Sequence, residues 1–438
     1  MRCLLTRKVI LVLRWFIILT DCSFMPVKTA FILFINLLLG GFQVIAQNNN
    51  LQFYQGQALN NSPLLKDYQN QVAANRADSA RIRASYKPQV NLSSSAVISP
   101  VIRGFGYDGA VTNVQTLDGL VNVNQSLDSK RYIRTQTQTL SLQSDSIRNT
   151  SRISEQNLKR TVTGQYITAY GSLLQLKFNQ QVDTLLRKEE RILKTLTQQN
   201  VYRQSDYLTF LVTLKQQNLQ LTQARIQYQT EVDSLNYIAG IVDTGKVILQ
   251  QPNVQINDAP ALSNSIFFKP YELDSLKLIN NRKLIDFTYR PRAGLFANGG
   301  YYTGFISPLL NNFGTGFGFS LTMPIYDGGQ RKLQYKKLAL AEDTRLNYRS
   351  FFTKQYHQQI ALLKQQISAN EALIKQIADQ LKYSERLVTV DFELMQTGDL
   401  RVADLVLAIN NYLSAKYLLT QTNISRLQLI NQLNYWNR

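Results

Sequence analysis

The stretch "FGTGFGFSLTMPIYDGG", residues 313–329, carries the clearest indication of fold in this sequence. Apolar or bulky side chains alternate with glycine, serine or threonine, which is typical of a β-strand with one apolar and one small or polar face. A transmembrane strand between lipid and water has this pattern, and so does a soluble antiparallel sheet packed on a core. The face predicted to be apolar comprises Phe313, Thr315, Phe317, Phe319, Leu321, Met323 and Ile325.

Two further segments alternate in the same way, at residues 90–98 and 121–127, and a third, at 295–301, does so more loosely. Four strands cannot close a β-barrel, because about eight is the smallest number that works. An open sheet edge in hydrocarbon would also leave backbone groups unpaired, at a cost of several kcal/mol each. We favour the membrane interpretation, which then requires several copies of the chain to share one barrel.

Long helices dominate the rest of the chain. Residues 330–397 contain neither proline nor glycine, and a helix of that length would span roughly 100 Å. Residues 129–199 match this length and have apolar residues spaced three or four apart. Shorter helices placed end to end would match these rods and complete a wall; they are predicted at about 55–86, 205–239, 270–289 and 404–436.

The chain also contains an internal two-fold repeat. Shifting the sequence by 198 positions aligns residues 196–237 with 394–435 and gives eleven identical pairs. Each half reads helix, two strands, long helix, turn and helix, so the predicted fold is mostly α with a four-strand β contribution. The predicted organisation is a leader at 1–46, repeat 1 at 47–240, a linker segment at 241–269 and repeat 2 at 270–438.

The same alignment places Asn200 opposite Gly398, the two residue types that best tolerate the left-handed conformation ending a helix. We predict a helix–turn–helix tip at each, with turns at about 200 and 398. Just past each tip an arginine precedes an aspartate by three positions. Such a pair is either a solvated ion pair within one helix, contributing roughly 0.3–0.5 kcal/mol, or a contact that gates a channel. The pairs are Arg203 with Asp206 and Arg401 with Asp404.

The motif "YDGG" at residues 326–329 is predicted to be the corner between the last strand and the long helix that follows. Asp327 can cap that helix, so the motif needs no metal or other ligand. The corner residues are Pro324, Asp327, Gly328 and Gly329.

The first 46 residues have the character of a secretory leader. An apolar run after Lys28 ends in a small-residue site that predicts cleavage after Ala46. The start codon is either Met1 or Met25, and a membrane anchor is the alternative to a cleaved signal. Both cysteines, Cys3 and Cys22, lie in this leader, so the exported chain is predicted to have none.

Composition excludes several classes of protein. A net charge of +19 would suggest nucleic-acid binding, but the basic residues form no run of five and the chain is predicted to be exported. The single histidine, His357, leaves too few ligands for a zinc site, and the sequence has no catalytic constellation. We therefore predict no enzyme, no cofactor and no metal. With a mean hydropathy of -0.19 and no apolar run of about 20 residues after position 50, a polytopic helical membrane protein is excluded.

Nearly all of the exported chain resembles the TolC-like outer-membrane efflux proteins. The resemblance is most specific at "LTMPIYDGG" (321–329) and at "TGDLRVADLVLAINNYLSAKYLLTQTNISRLQLINQLN" (397–434), and "ALNNSPLLKDYQNQV" (58–72) resembles the opening helix of the family. It implies a homotrimer with a twelve-stranded β-barrel in the outer membrane of a Gram-negative bacterium and an α-helical barrel in the periplasm. It also implies docking to a periplasmic adaptor protein and an inner-membrane transporter of the RND or ABC type, which together form an export duct.

The resemblance assigns roles to a few positions. Asp404 matches the first acidic position of the family's periplasmic gate, whereas Leu407 stands where many members carry a second acid. Arg401 lies one residue beyond the usual gate arginine and receives no role from the resemblance. The adaptor-docking tips would be Asn200, Val201, Gly398 and Asp399. The main alternative is a periplasmic coiled-coil adaptor or scaffold protein, which would also have long helices and a turn but would need no barrel.

Overall fold

Long helices and one antiparallel sheet make up the fold in a computed structural model that describes residues 50–108, 115–242, 245, 247–258, 260–304 and 309–438. The predicted leader and its cleavage site at Ala46 lie outside the described residues. The elements are α1 (Leu51–Asn61), α2 (Pro63–Ser85), β1 (Gln89–Ile98), β2 (Gln115–Ser126), α3 (Lys130–Gln198), α4 (Gln204–Ala239), α5 (Lys269–Thr288), β3 (Arg292–Thr303), β4 (Phe313–Thr322), α6 (Gln330–Thr397) and α7 (Val402–Trp436).

The two long helices form as the sequence predicts. Helix α6 runs without interruption over 68 residues and α3 over 69, so each is about 100 Å long. In the part of the chain that the structure describes, no helix combines the length and apolar character needed to cross a membrane.

The single helix predicted at 55–86 is wrong, because the chain forms two helices there. Ser62 lies between them in an extended conformation, and its hydroxyl accepts a hydrogen bond from the backbone N–H of Leu65. Pro63 occupies the first helical position of α2, where its missing N–H costs nothing. Proline also disfavours a helical conformation at the residue before it, so α1 ends at Asn61.

The shorter helices pack along the long ones. Helices α1, α2 and α4 contact α3, whereas α5 and α7 contact both α3 and α6. The α4 and α1 ends meet where the side-chain amide of Asn61 donates to the carbonyl oxygens of Ala239 and Gly240, at 3.0 and 3.1 Å. From one side of the packed helices to the other, α1, α2 and α4 come first, α3 follows, α5 and α7 come next, and α6 is last. The duplication of the two halves stays an interpretation of the sequence.

The four strands form one antiparallel sheet in the order β1-β2-β3-β4. Strand β4 ends at Thr322, opposite Arg292. Met323 and Ile325 therefore lie beyond the strand, and their predicted place on its apolar face is wrong. Within the described residues β1 and β4 pair on one side only, so both edges of the sheet are open.

The register aligns the alternation of all four strands, because residues directly opposite each other share a face. Leu92 is 78% and Phe317 92% exposed, so most of the apolar face is uncovered, although Tyr301 on the same face is buried. That face includes Val90, Leu92, Ala96, Ile98, Leu117, Val121, Val123, Leu295, Ala297, Tyr301, Phe313, Phe317, Phe319 and Leu321. The polar face includes Asn91, Ser93, Ser95, Asp118, Asn122, Asn124, Asn298, Gly314, Gly316 and Gly318.

The corner between β4 and α6 has the predicted capping residue. The Asp327 carboxylate accepts hydrogen bonds from the backbone N–H groups of Gly329 and Arg331, at 2.9 and 2.7 Å. Those hydrogen bonds hold the pKa of the Asp327 carboxyl below its usual range. Gly328 and Gly329 both have positive φ, at 63° and 82°, a conformation that glycine adopts readily and that this corner between strand and helix requires.

Candidate functional site at the helix-pair tips

The chain reverses direction at two tips, one between α3 and α4 and one between α6 and α7. Asn200 has φ 63° and Gly398 has φ 84°, so both adopt the left-handed conformation that the sequence predicts for them. The backbone N–H of Gly398 donates to the carbonyl oxygen of Met395, and that of Asp399 donates to Leu394. These bonds satisfy carbonyl groups at the end of α6 that the helix itself leaves free.

The two tips of one chain contact each other. A Cβ atom on Gly398 would lie 2.7 Å from Cγ1 of Val201, so the backbone of one tip packs directly against a side chain of the other. Beside this contact the buried Tyr202 hydroxyl donates to the carbonyl oxygen of Met395 at 3.1 Å. Of the four predicted tip residues, Val201 and Gly398 are therefore in contact, and Asn200 and Asp399 are their sequence neighbours.

We expect Gly398→Ala to destabilise the tips by about 1–2 kcal/mol, because alanine resists the left-handed conformation. The new methyl group would also overlap Val201. Thermal unfolding of the purified protein in detergent measures the loss. Gly56→Ala is the matched control, since Gly56 lies within α1 with nothing inside 4 Å of the added Cβ; alanine there should be neutral or stabilising. Equal midpoints for the two variants would contradict the role of Gly398.

The charged pairs just past the tips differ from each other. Arg401 and Asp404 form a bidentate ion pair, with Nε–Oδ2 at 2.8 Å and Nη2–Oδ1 at 3.1 Å. Asp206 instead accepts a hydrogen bond from the backbone N–H of Arg203 at 3.2 Å, and within this described segment the two side chains form no ion pair. Of the two alternatives for the first pair, the solvated ion pair is therefore not formed at Arg203 and Asp206, because the aspartate caps α4.

Two carboxylic acids that the sequence analysis missed are buried above the tips. Glu189 on α3 is 3% exposed, and its Oε2 has no hydrogen-bond partner among the described residues. Burial raises the pKa of the Glu189 carboxyl, and the nearby charge of Lys188 only partly offsets this. Burial likewise raises the pKa of Asp391 on α6, and the charge of Asp404 raises it further.

Helical spacing contains the signal that would have identified these acids. Glu189 lies three residues after Leu186 and four before Leu193, both of which are fully buried. Asp391 has the same relation to the buried Val388 and Met395. An acid at a position of an apolar stripe is predicted to face the packed side of its helix.

We expect Glu189→Gln to slow amide hydrogen exchange across residues 185–196 at pH 8, compared with the unmodified protein at the same pH. A carboxyl whose pKa is raised in the folded state costs stability once pH rises above its ordinary range, so the difference should shrink as pH falls toward 4. Glu190→Gln is the control, because the Glu190 carboxylate already accepts a hydrogen bond from the Tyr207 hydroxyl at 2.6 Å. A difference that is independent of pH would contradict the burial of an ionised group.

Among the residues that the structure describes, no three His, Cys, Asp or Glu side chains converge on a point that could hold an ion. What this region provides is a packed joint between two helix pairs, with acidic groups at its surface and in its interior.

Known structures give the fold a precedent, although no family model and no curated protein sequence matches the chain. The outer membrane protein VceC of Vibrio cholerae is 13% identical with a TM-score of 0.68, over 88% of this chain and 96% of that one. The Campylobacter jejuni CmeC outer membrane channel is 13% identical with a TM-score of 0.69, over 88% and 85% of the chains. The open state of the Neisseria gonorrhoeae MtrE outer membrane channel is 13% identical with a TM-score of 0.70, over 89% and 88%.

These similarities extend over the helices and the sheet together, and they agree with the element order that the sequence predicts. The chain therefore has the fold of the TolC-like outer-membrane channels.

Proposed function

We propose that this protein is an outer-membrane channel of a Gram-negative bacterium that conducts solutes passively and catalyses no reaction. The observation that carries the proposal is the four-stranded sheet, which has an exposed apolar face, a polar face and two open edges. Such a sheet is stable in lipid only when the apolar face meets hydrocarbon and each edge finds a partner. Outer-membrane lipid and further copies of the chain supply these two requirements.

The proposed assembly is a homotrimer with a barrel of twelve strands. Because the sheet has an even number of antiparallel strands, β4 of one copy runs antiparallel to β1 of the next, and the alternation continues across the junction. Three copies exceed the minimum of about eight strands that a closed barrel needs.

Exposed apolar stripes on α4 and α6 support the same side-by-side arrangement of copies. On α4, Leu208, Leu219 and Ile226 lie within roughly 20° of one another around the helix. On α6, exposed apolar residues recur every eleven positions, which keeps them in a nearly straight line because eleven residues complete three turns. Helix α2 leads into β1 and α6 follows β4, so α6 of one copy would meet α2 and α4 of the next. The α6 stripe contains Leu340, Phe351, Leu362 and Leu373, with Leu387 near the tip.

We expect Val212→Cys combined with Leu387→Cys to cross-link the chain into covalent dimers and trimers. Val212 lies about 12 Å from the start of α4 and Leu387 about 15 Å from the end of α6, so both are at the same level above the tips. The exported chain is predicted to contain no other cysteine. A short bis-maleimide reagent and denaturing electrophoresis detect the product.

The control combines Val212→Cys with Leu340→Cys, which lies about 85 Å from the α6 end and should give no cross-link. Monomers alone with both pairs would contradict the proposed contact between α6 and α4.

The proposed export duct continues from the barrel through a helical wall in the periplasm. There the tips at Asn200, Val201, Gly398 and Asp399 would meet a periplasmic adaptor, and an inner-membrane transporter of the RND or ABC type would deliver the substrate. The family resemblance supports this arrangement. The contacts between the two tips support it as well, because they place both tips at the same end of the folded molecule. Residues 1–46 would direct export of the chain.

Fractionation and planar-bilayer recording test the channel itself. We expect the protein in the outer-membrane fraction, with heat-modifiable migration in mild detergent and discrete conductance steps in a bilayer. A periplasmic adaptor or scaffold protein would instead be water-soluble and would give no steps. That outcome would reject the proposed function.

We expect Asp404→Ala to raise the single-channel conductance, because three copies of this carboxylate would crowd the narrow periplasmic end. Asp206→Ala is recorded in parallel, since Asp206 caps α4 and holds the corresponding position in the first half. A rise for Asp404→Ala alone assigns the gate to the second tip, with Arg401 as its ion-pair partner. An unchanged conductance for Asp404→Ala would remove that residue from the gate.

A further inference from the structure

Strand β4 presents a lane of three glycines on the polar face of the sheet. Gly314, Gly316 and Gly318 alternate with bulky residues that point to the opposite, apolar face. Glycine weakens a strand interior and commonly marks a place where another group approaches closely. The lane therefore needs an explanation in terms of what lies on it.

Side chains of the neighbouring strand β3 lie across two of the three glycines. A Cβ atom on Gly318 would lie 2.3 Å from Cζ of Phe296 and within 2.9 Å of two further ring atoms. A Cβ atom on Gly316 would lie 2.6 Å from Oδ1 of Asn298. Gly314 has nothing within 4 Å of the same position. The Phe296 ring is thus folded sideways along the sheet, in the space that a side chain at position 318 would occupy.

The position of this ring along the sheet is defined by the register. Phe296 lies directly opposite Gly318 on one side and Asn124 on the other, and Asn124 lies opposite Gln89. Gln89 is the first residue of β1, so this row is at the end of the sheet that joins the helices. The ring is consequently a large apolar group on a polar face, close to the junction between sheet and helical wall.

We propose that Phe296 sets the bore of the duct at this junction, and that Gly318 keeps it wide by giving the ring a place to lie. This inference rests on the proposed function, in which the polar faces of three copies line the duct. Alanine at position 318 would displace the end of a flexible side chain, which turns at low cost about its side-chain torsions. Three displaced rings would then project into the duct together.

Single-channel recording of matched variants tests the proposal. We expect Gly318→Ala to lower the conductance, whereas Gly314→Ala, on the same face of the same strand, leaves it unchanged. The double variant Gly318→Ala with Phe296→Ala should recover at least the conductance of the unmodified protein, because the obstructing ring is gone. Heat-modifiable migration in electrophoresis with mild detergent checks that each variant still assembles into the oligomer.

The outcomes separate this inference from the function on which it rests. An unmodified protein without conductance steps speaks against the channel, whereas a channel with equal conductance in Gly318→Ala and Gly314→Ala overturns the role of Phe296. A double variant that stays at the reduced conductance overturns it as well. Should Gly318→Ala fail to assemble, the size series Phe296→Ala, Phe296→Leu and Phe296→Trp decides. Conductance is expected to fall as the side chain grows, and indifference to its size overturns the proposal.

Discussion

Unpaired backbone groups along the open edges of β1 and β4 are the constraint on which the rest of the molecule depends. Each N–H or C=O group without a partner in hydrocarbon costs several kcal/mol, and neither edge has a partner within the described chain. The apolar face adds to this constraint because most of its side chains are exposed in the described chain. In the proposed channel, a sheet of four strands resolves both problems only by association with further copies of the chain.

The helices, like the sheet, have unpartnered surfaces at both sides of the described chain. Strand order and helix order agree, since the helix that follows β4 and the helix that precedes β1 lie at opposite sides of the described chain. The exposed apolar stripes on α4 and α6 correspond to the open edges of the sheet, because both are surfaces that could contact a neighbouring copy. In the proposed assembly, one neighbouring copy would therefore cover an open edge of the sheet and an exposed apolar stripe of the helices at the same time.

Local patterns in the sequence predicted most of the fold, because proline, glycine and hydrophobic period act over a few residues. The bounds of α6, the left-handed residues Asn200 and Gly398, and the capping role of Asp327 were all predicted in this way. The break at Ser62–Pro63 was missed although its signal is local. Glu189 and Asp391 were missed for a different reason, since the burial of a polar residue depends on the helix packed against it.

The joint between the two tips has an energetic consequence for any movement of the helix pairs. At the joint, one hydrogen bond runs from Tyr202 to Met395, and Val201 contacts Gly398. A buried apolar cluster drawn from all four helices adds to these contacts and includes Leu193, Phe210, Phe392 and Leu405. A single hydrogen bond of this kind contributes on the order of 1 kcal/mol. Burying a large apolar side chain contributes about 1.5–3 kcal/mol, so the cluster outweighs the hydrogen bond. Separation of the helix pairs would expose that cluster to water, and a protein that drives them apart must supply the corresponding free energy.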